Sequence, residues 1–206
     1  FRTPDFILEE WGRDFGLTNL SPEAMLPWFE RVEKHLSIEE NGEHEIAGHS
    51  RLVRDGAKKL GWSVKPFKRN IRDCALTGHC LSGCKTDRKQ SMLVTYLPWA
   101  MAHGARLHAD TRVTRILENG GRAVGVEAEV IGHDGVKVAD IRVDANTVVL
   151  AAGAVQSPLL LQKSGLGNSS GQVGKNFACH PSMFVSAKYP QEVFPWRGAL
   201  LGVYVD

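Results

Sequence analysis

The stretch from Ala151 to Gly167 decides the fold of this chain: AAGAVQSPLLLQKSGLG. It predicts the end of a strand, a glycine turn, a helix and a helix cap. Gly153 allows a sharp turn at the carboxyl end of the strand. Ser157 and Pro158 suit the start of the helix, as its cap and its first turn. Gly165 suits the left-handed position just after the helix, so this segment is a compact strand–turn–helix unit.

The residues just before this turn predict a strand that is buried on both faces. Thr147–Ala152 is a nearly continuous apolar run, typical of a strand inside a parallel sheet. Such a strand needs parallel neighbours, and the chain has few other runs of this kind. It also has no G-x-G-x-x-G motif that could start a nucleotide-binding unit. We therefore expect the sheet to be incomplete and the chain, which begins with Phe1, to be an internal fragment of a longer protein.

The region before this strand predicts an antiparallel meander of three strands. Val113–Leu117 is the first strand, and the turn Asn119-Gly120-Gly121 leads into alternating apolar residues over Val124–Val130. His133-Asp134-Gly135 is the second turn, and the third strand follows over Val136–Val143. Strands here and helices elsewhere place the chain in the α/β (α+β) class.

The first half of the chain carries helix signals. Ser21 is a good cap for a helix that has Pro22 at its first position. Glu45–Gly61 predicts a second helix and Gln90–His103 a third. Pro98 lies inside the third pattern, so a kink or an early end is expected there.

Composition excludes several classes of protein. The 206 residues are 43% hydrophobic and 23% charged, which is typical of a globular protein and not of a disordered chain. The net charge of +2 gives no broad cationic field, so nucleic acid is not an expected partner. The apolar runs are too short for a membrane span. Four cysteines, three of them clustered, indicate a reduced, cytoplasmic setting.

The deciding segment resembles a known family, the glucose–methanol–choline (GMC) flavoprotein oxidoreductases. Gly153–Gly167 fits the family's second signature at every constrained position, ending in Ser-Gly-aliphatic-Gly. Val173–Pro181 (VGKNFACHP) is similar to the family segment that follows it. Gly83–Ala105 is similar to the family stretch G-C-x-x-x-x-K-x-S, Y-L-x-x-A and G-A. Val113–Val126 resembles the strand pair after that stretch.

The resemblance implies a partial Rossmann-like FAD-binding domain with a β-meander, plus part of a substrate-binding domain. It implies oxidation of an alcohol or sugar hydroxyl by hydride transfer to FAD. By position in the family pattern, the backbone of Val113 would contact the adenine, and Ala151, Ala152 and Gly153 would line the adenosine side of the cofactor. The expected partners are a small-molecule alcohol or sugar and the missing remainder of the same chain.

The resemblance also implies a division into three parts. Residues 1–84 would form a helical and loop part of the substrate-binding region. Residues 85–178 would form the partial FAD-binding domain. Residues 179–206 would begin the strands of the substrate domain.

Two family motifs have no counterpart in this sequence. The pyrophosphate-binding glycine motif is absent, and so is the segment with the catalytic His and its His or Asn partner, which act as base and alkoxide stabiliser. His180 matches a family position other than the catalytic base, so we expect it to have a structural hydrogen-bonding role. Cys179 stands where the family usually has Asp. No catalytic residue is therefore predicted, and this chain alone should not turn over substrate.

The cysteine cluster Cys74-x5-Cys80-x3-Cys84 leaves three hypotheses open. The thiols could pack in a reduced loop, two of them could form a disulfide, or all three could hold an iron–sulfur cluster. The last resembles some FAD glucose dehydrogenases of the family, in which a cluster passes electrons from the flavin to a cytochrome. A non-catalytic remnant of the fold is a further alternative, and it would not bind FAD.

Overall fold

A computed structural model describes residues 2–205 and shows an α+β structure. The chain divides into two compact units. The first contains the residues up to Ala105 together with those from Ala187 onward, and the second spans Arg106–Ser186. The predicted division at residues 84/85 and 178/179 concerns cofactor and substrate regions, and it stays a prediction.

The first unit contains four α-helices that precede or flank short strands: α1 (Asp5–Phe15), α2 (Pro22–His35), α3 (Gly48–Lys59) and α4 (Tyr96–Ala102). The predicted cap of α2 is confirmed, because the Ser21 side chain accepts a hydrogen bond from the Ala24 N–H at 3.3 Å. Helix α3 is shorter than the predicted Glu45–Gly61.

Helix α4 is also shorter than the predicted Gln90–His103. Pro98 stands in its first turn, where a proline does not break a helical hydrogen bond. The residues before it form turns. The Thr95 side chain is buried there and donates to the Ser91 carbonyl at 2.7 Å. The early end expected at Pro98 is not observed, because the helix continues to Ala102; it differs from the prediction by its late start at Tyr96.

Two small antiparallel sheets join distant parts of the first unit. Strands β1 (Ile38–Glu40) and β3 (Lys68–Asn70) form one, and β2 (Val64–Pro66) pairs with β7 (Val203–Val205) in the other. The buried apolar side chains of this unit come from both ends of the sequence: Leu8, Ile46, Ala47, Ala57 and Ala199. The last residues of the described chain are thus part of the same core as the first helices.

The second unit confirms the predicted meander. Strands β4 (Thr111–Asn119), β5 (Arg122–Ile131) and β6 (Lys137–Asp144) form an antiparallel sheet in the order β4-β5-β6. Ile116 and Ala128 are its buried side chains. Helix α5 (Gly153–Ser164) packs against β4.

The buried parallel strand predicted over Thr147–Ala152 is not observed. The segment is irregular and unpaired, and Val149 is 83% exposed. A strand forms only where neighbouring strands satisfy its backbone groups, and the sheets of residues 2–205 are all antiparallel. That this segment becomes a strand beside partner strands of a longer protein stays a prediction. The Rossmann-like arrangement stays a prediction.

No helix among the described residues is both long enough and apolar enough to cross a membrane. A cytoplasmic location stays a prediction from the cysteine pattern.

Candidate functional site: the glycine turn and the edge of the meander

The turn before α5 leaves its backbone open to a ligand. Gly153 has φ +81°, in the left-handed region, and a Cβ at this position would meet no atom within 4 Å. Ala151, Ala152 and Gly153 are all exposed. Ala152 precedes the first helical residue and supplies no side-chain cap. The first backbone N–H groups of the helix therefore have no side-chain partner and are available to a polar ligand.

The sequence predicted Ser157 as the cap of this helix. That prediction is wrong, because α5 begins four residues earlier, at Gly153. The Ser157 hydroxyl instead accepts a hydrogen bond from the Ala152 N–H at 3.1 Å. This bond reaches back across the glycine turn and fixes it from the helix side. Pro158 consequently lies inside the helix, while Gly165 ends it with φ 70° and ψ 27°, as predicted.

A serine that the sequence analysis did not single out anchors α5 to the sheet. The Ser164 hydroxyl accepts the Ile116 N–H at 2.9 Å and donates to the Leu160 carbonyl at 2.7 Å. One side chain thus joins the last turn of α5 to β4. Ser164 lies within the family signature, but a pattern of residue types does not show which strand its hydroxyl reaches.

Val113 lies in β4, opposite Ala128, and is 38% exposed. The Ile131 N–H donates to the Asp110 carbonyl at 2.8 Å, which makes these two residues a hydrogen-bonded pair. Hydrogen bonding alternates along an antiparallel ladder, so the N–H and C=O of Val113 point away from β5. Since β4 is an edge strand among the described residues, these groups are free to contact a ligand.

The four predicted cofactor residues therefore belong to one compact unit, in which α5 packs against β4. Each offers backbone and little side chain: a free strand edge at Val113 and an open turn over Ala151, Ala152 and Gly153. That chemistry fits a nucleotide held by main-chain hydrogen bonds and close backbone approach. That these residues bind a cofactor stays a prediction.

The cysteine loop shows free thiols. Cys74, Cys80 and Cys84 are half-buried and unpaired. Within residues 2–205, no three Cys, His, Asp or Glu side chains come together in a group that could hold a metal ion. The arrangement thus supports neither the disulfide nor the iron–sulfur hypothesis. The Cys84 sulfur receives the Lys89 N–H at 3.4 Å and lies 3.5 Å from the Thr86 hydroxyl.

Hydrogen bonds to the charged form lower the pKa of the Cys84 thiol below its usual value, the largest contribution coming from Thr86 and smaller ones from backbone N–H groups. Burial opposes this shift. His180, by contrast, is exposed and makes no hydrogen bond to any residue of the described chain, so its expected structural role is not seen.

Comparison with known proteins agrees with the signature. The sequence profile of GMC oxidoreductases matches residues 1–182. The chain is 36% identical over 200 residues to an uncharacterized GMC-type oxidoreductase of Mycobacterium tuberculosis, covering 97% of this chain and 31% of that protein.

Two further relatives carry the names of enzymes. A long-chain-alcohol oxidase of Arabidopsis thaliana is 28% identical, over 93% of this chain and 26% of the oxidase. An oxygen-dependent choline dehydrogenase of Staphylococcus saprophyticus is 26% identical, over 91% of this chain and 37% of the dehydrogenase. The chain thus spans about a third of the length of the curated relatives it matches. Its profile match covers well over half of its residues, and the chain belongs to the GMC oxidoreductase family.

Proposed function

We propose that the full-length protein is an FAD-dependent oxidoreductase that oxidises an alcohol or sugar hydroxyl by hydride transfer to the flavin. The match to the GMC family and the names of two relatives, an alcohol oxidase and a choline dehydrogenase, support this class of reaction. The described chain would supply part of the cofactor site. The catalytic base would come from outside the residues described here.

One observation carries this proposal: the glycine turn of the signature has an open, exposed backbone where the family pattern places the cofactor. Gly153 combines a positive φ with empty space beside its α-carbon. Ala151 and Ala152 add only methyl groups beside it. A nucleotide could therefore approach the main chain to van der Waals distance, which a larger side chain would prevent.

The roles of the residues follow from this geometry. Bound FAD would supply the hydride acceptor. The strand edge at Val113 would hold the adenine through main-chain groups, and the turn at Ala151–Gly153 would line the adenosine. The hydrogen bonds of Ser157 and Ser164 would keep the turn and helix α5 in place while the cofactor is absent. The Rossmann-like surroundings of this site are part of the proposal.

The test is the flavin content of the full-length protein, read from its visible absorption spectrum, for Gly153→Val and Gly165→Val. These glycines lie at the two ends of α5, have φ +81° and +70°, and both face empty space. Valine therefore strains the backbone at either position. We expect the Gly165 variant to keep its flavin and the Gly153 variant to lose it, because only the latter puts a side chain where the cofactor approaches.

Two outcomes would contradict the proposal. A colourless wild-type full-length protein that does not take up added FAD would favour the non-catalytic remnant. Unchanged flavin content in a folded Gly153→Val variant would show that the turn does not contact the cofactor. If both variants lose flavin equally, circular dichroism shows whether general unfolding is the cause.

A further inference from the structure

A cavity of about 640 Å³, widely open to solvent, lies entirely within the first unit and plays no part in the proposed cofactor site. This volume is within the range of pockets that hold small molecules. The start of α3 and the segment before β7 form most of its wall. Apolar side chains make up part of the lining: Ile46, Leu52, Leu76, Val193 and Phe194.

The floor of the cavity is firmly held. Ile46 and Ala199 form a parallel bridge, and both are buried. The Ala199 N–H donates to the Glu45 carbonyl at 2.6 Å, and the Gly198 N–H donates to the Leu76 carbonyl at 3.0 Å. Three segments distant in sequence are thus connected at Ile46, Leu76 and Gly198, which line the cavity. A pocket with such a floor exists before any ligand arrives, which lowers the cost of binding.

Arg197 brings a positive charge to this cavity without a counter-ion. Its guanidinium lies over the Phe194 ring, 4.5 Å from the centroid. Among residues 2–205 it forms no ion pair. The ring covers one side of the guanidinium, while its N–H groups, which lie in the guanidinium plane, stay available to an anion.

The other charged groups of the lining cancel one another and leave the charge of Arg197. Arg51 also faces the cavity, and its closest carboxylate is Glu43 at 3.9 Å. Glu192 contributes one negative charge, so Arg197 is the guanidinium of the lining that has no ion pair among the described residues. His44 and Gln191 add polar groups to the same lining. One unpaired guanidinium suits an anion with a single charge.

The amino end of α3 reinforces the positive field. Gly48, the first residue of this helix, lines the cavity, and a Cβ there would meet no atom within 4 Å. Ala47 before it provides no side-chain cap. The free N–H groups and partial positive charge of the first turn therefore belong to the same lining as the two arginines.

We propose that this cavity binds a singly charged amphiphile, namely a carboxylate that bears an unbranched apolar chain. The carboxylate would pair with Arg197 in bidentate fashion, near the first turn of α3, and the chain would lie along the apolar wall that includes Leu52 and Val193. This inference goes beyond the proposed oxidoreductase activity. It would stand or fall independently of the flavin content.

Binding of decanoate to the full-length holoprotein, measured by isothermal titration calorimetry, tests the proposal. Acetate supplies the charge without the chain, and decan-1-ol supplies the chain without the charge. We expect decanoate to bind and acetate not to compete, with decan-1-ol displacing decanoate only weakly. Each methylene added between hexanoate and decanoate should raise the affinity by up to about fourfold, which is the factor that corresponds to the transfer free energy of a buried CH₂ group.

The matched variants are Arg197→Gln and Arg31→Gln. Arg31 also lies over an aromatic ring, 6.0 Å from the centroid of Trp28, but it does not line the cavity. Arg197→Gln should weaken decanoate binding by about tenfold or more, the usual contribution of a hydrogen bond to a charged group. Arg31→Gln should leave it unchanged.

Several results would overturn the proposal. Displacement of decanoate by decan-1-ol with an affinity equal to that of decanoate would identify a purely apolar site. Equal affinities for the wild type and a folded Arg197→Gln variant would place decanoate elsewhere. An absence of decanoate binding by a protein that retains its flavin would reject this inference and leave the oxidoreductase proposal intact.

Discussion

Replacing Asn41 by alanine should make local opening of the two sheets of the first unit easier. Asn41 is buried just after β1, and its side-chain N–H₂ donates to the carbonyls of Leu201 and Gly202 at 2.8 and 2.9 Å. Its side-chain oxygen accepts a short hydrogen bond from the Arg69 Nε. One amide therefore ties the β1–β3 sheet to the residues that lead into β7.

The expected cost follows from the groups that lose their partner. Two hydrogen bonds to carbonyls contribute about 1 kcal/mol each, and one from a guanidinium about 1.5–3 kcal/mol. Arg69 is in a sensitive position because its NH1 is already buried without a partner and Glu45 is 3.5 Å from its NH2. We expect Asn41→Ala to lower the local free energy of opening by about 3–5 kcal/mol, with some loss of additivity.

Hydrogen exchange of the full-length protein, read by mass spectrometry, measures this local opening. Protection of the peptides that contain β2 and β7 should fall by at least about a hundredfold in Asn41→Ala, since 1.4 kcal/mol corresponds to a factor of ten. Asn146→Ala, at an exposed position of the second unit, is the control and should leave protection unchanged.

The isosteric variant Asn41→Asp separates the donor from the volume of the side chain. It keeps an acceptor for Arg69 but places oxygen against the two carbonyls, so it should also reduce protection of β7. The reasoning would be refuted if Asn41→Ala changed protection by less than about tenfold, because even one charge-assisted bond is worth more than that.

Two further predictions concern the second unit and the cysteine loop. Ser164→Ala removes the acceptor of the Ile116 N–H and should lower the free energy of opening β4 by about 1–3 kcal/mol, measured by exchange of that amide, whereas Ser170→Ala should have no effect. Thr86→Val removes the largest contribution to the lowered pKa of Cys84. Alkylation of the Cys84 thiol by iodoacetamide should therefore need a higher pH in this variant than in the wild type. An unchanged pH profile of that alkylation would contradict the assigned cause.

Local signals were sufficient to predict much of this structure. The meander follows from strand alternation and two glycine turns, and the ends of α2 and α5 follow from Ser21 and Gly165. In each case the decisive residues lie within a few positions of the structure they determine. The family signature at Gly153–Gly167 likewise needed only local sequence.

Contacts across the sequence could not be predicted in this way. Asn41 and Leu201 are 160 residues apart, and nothing near either residue indicates the other. The cavity beside Arg197 has the same origin, because its walls come from residues 44–52, Leu76 and 191–198. The pattern over Thr147–Ala152 failed for a related reason: apolar residues show that a segment can be buried, but partner strands decide whether it is.

Ser157 shows how a motif can identify the right residue and assign it the wrong task. The sequence placed it at the start of the helix, whereas its hydroxyl bonds back to Ala152 and the helix starts at Gly153. The first free N–H groups of α5 therefore belong to the glycine turn itself and not to the residues after Ser157. Since those groups and the empty space beside Gly153 coincide, a side chain at this position should affect cofactor binding more than one anywhere else in the helix.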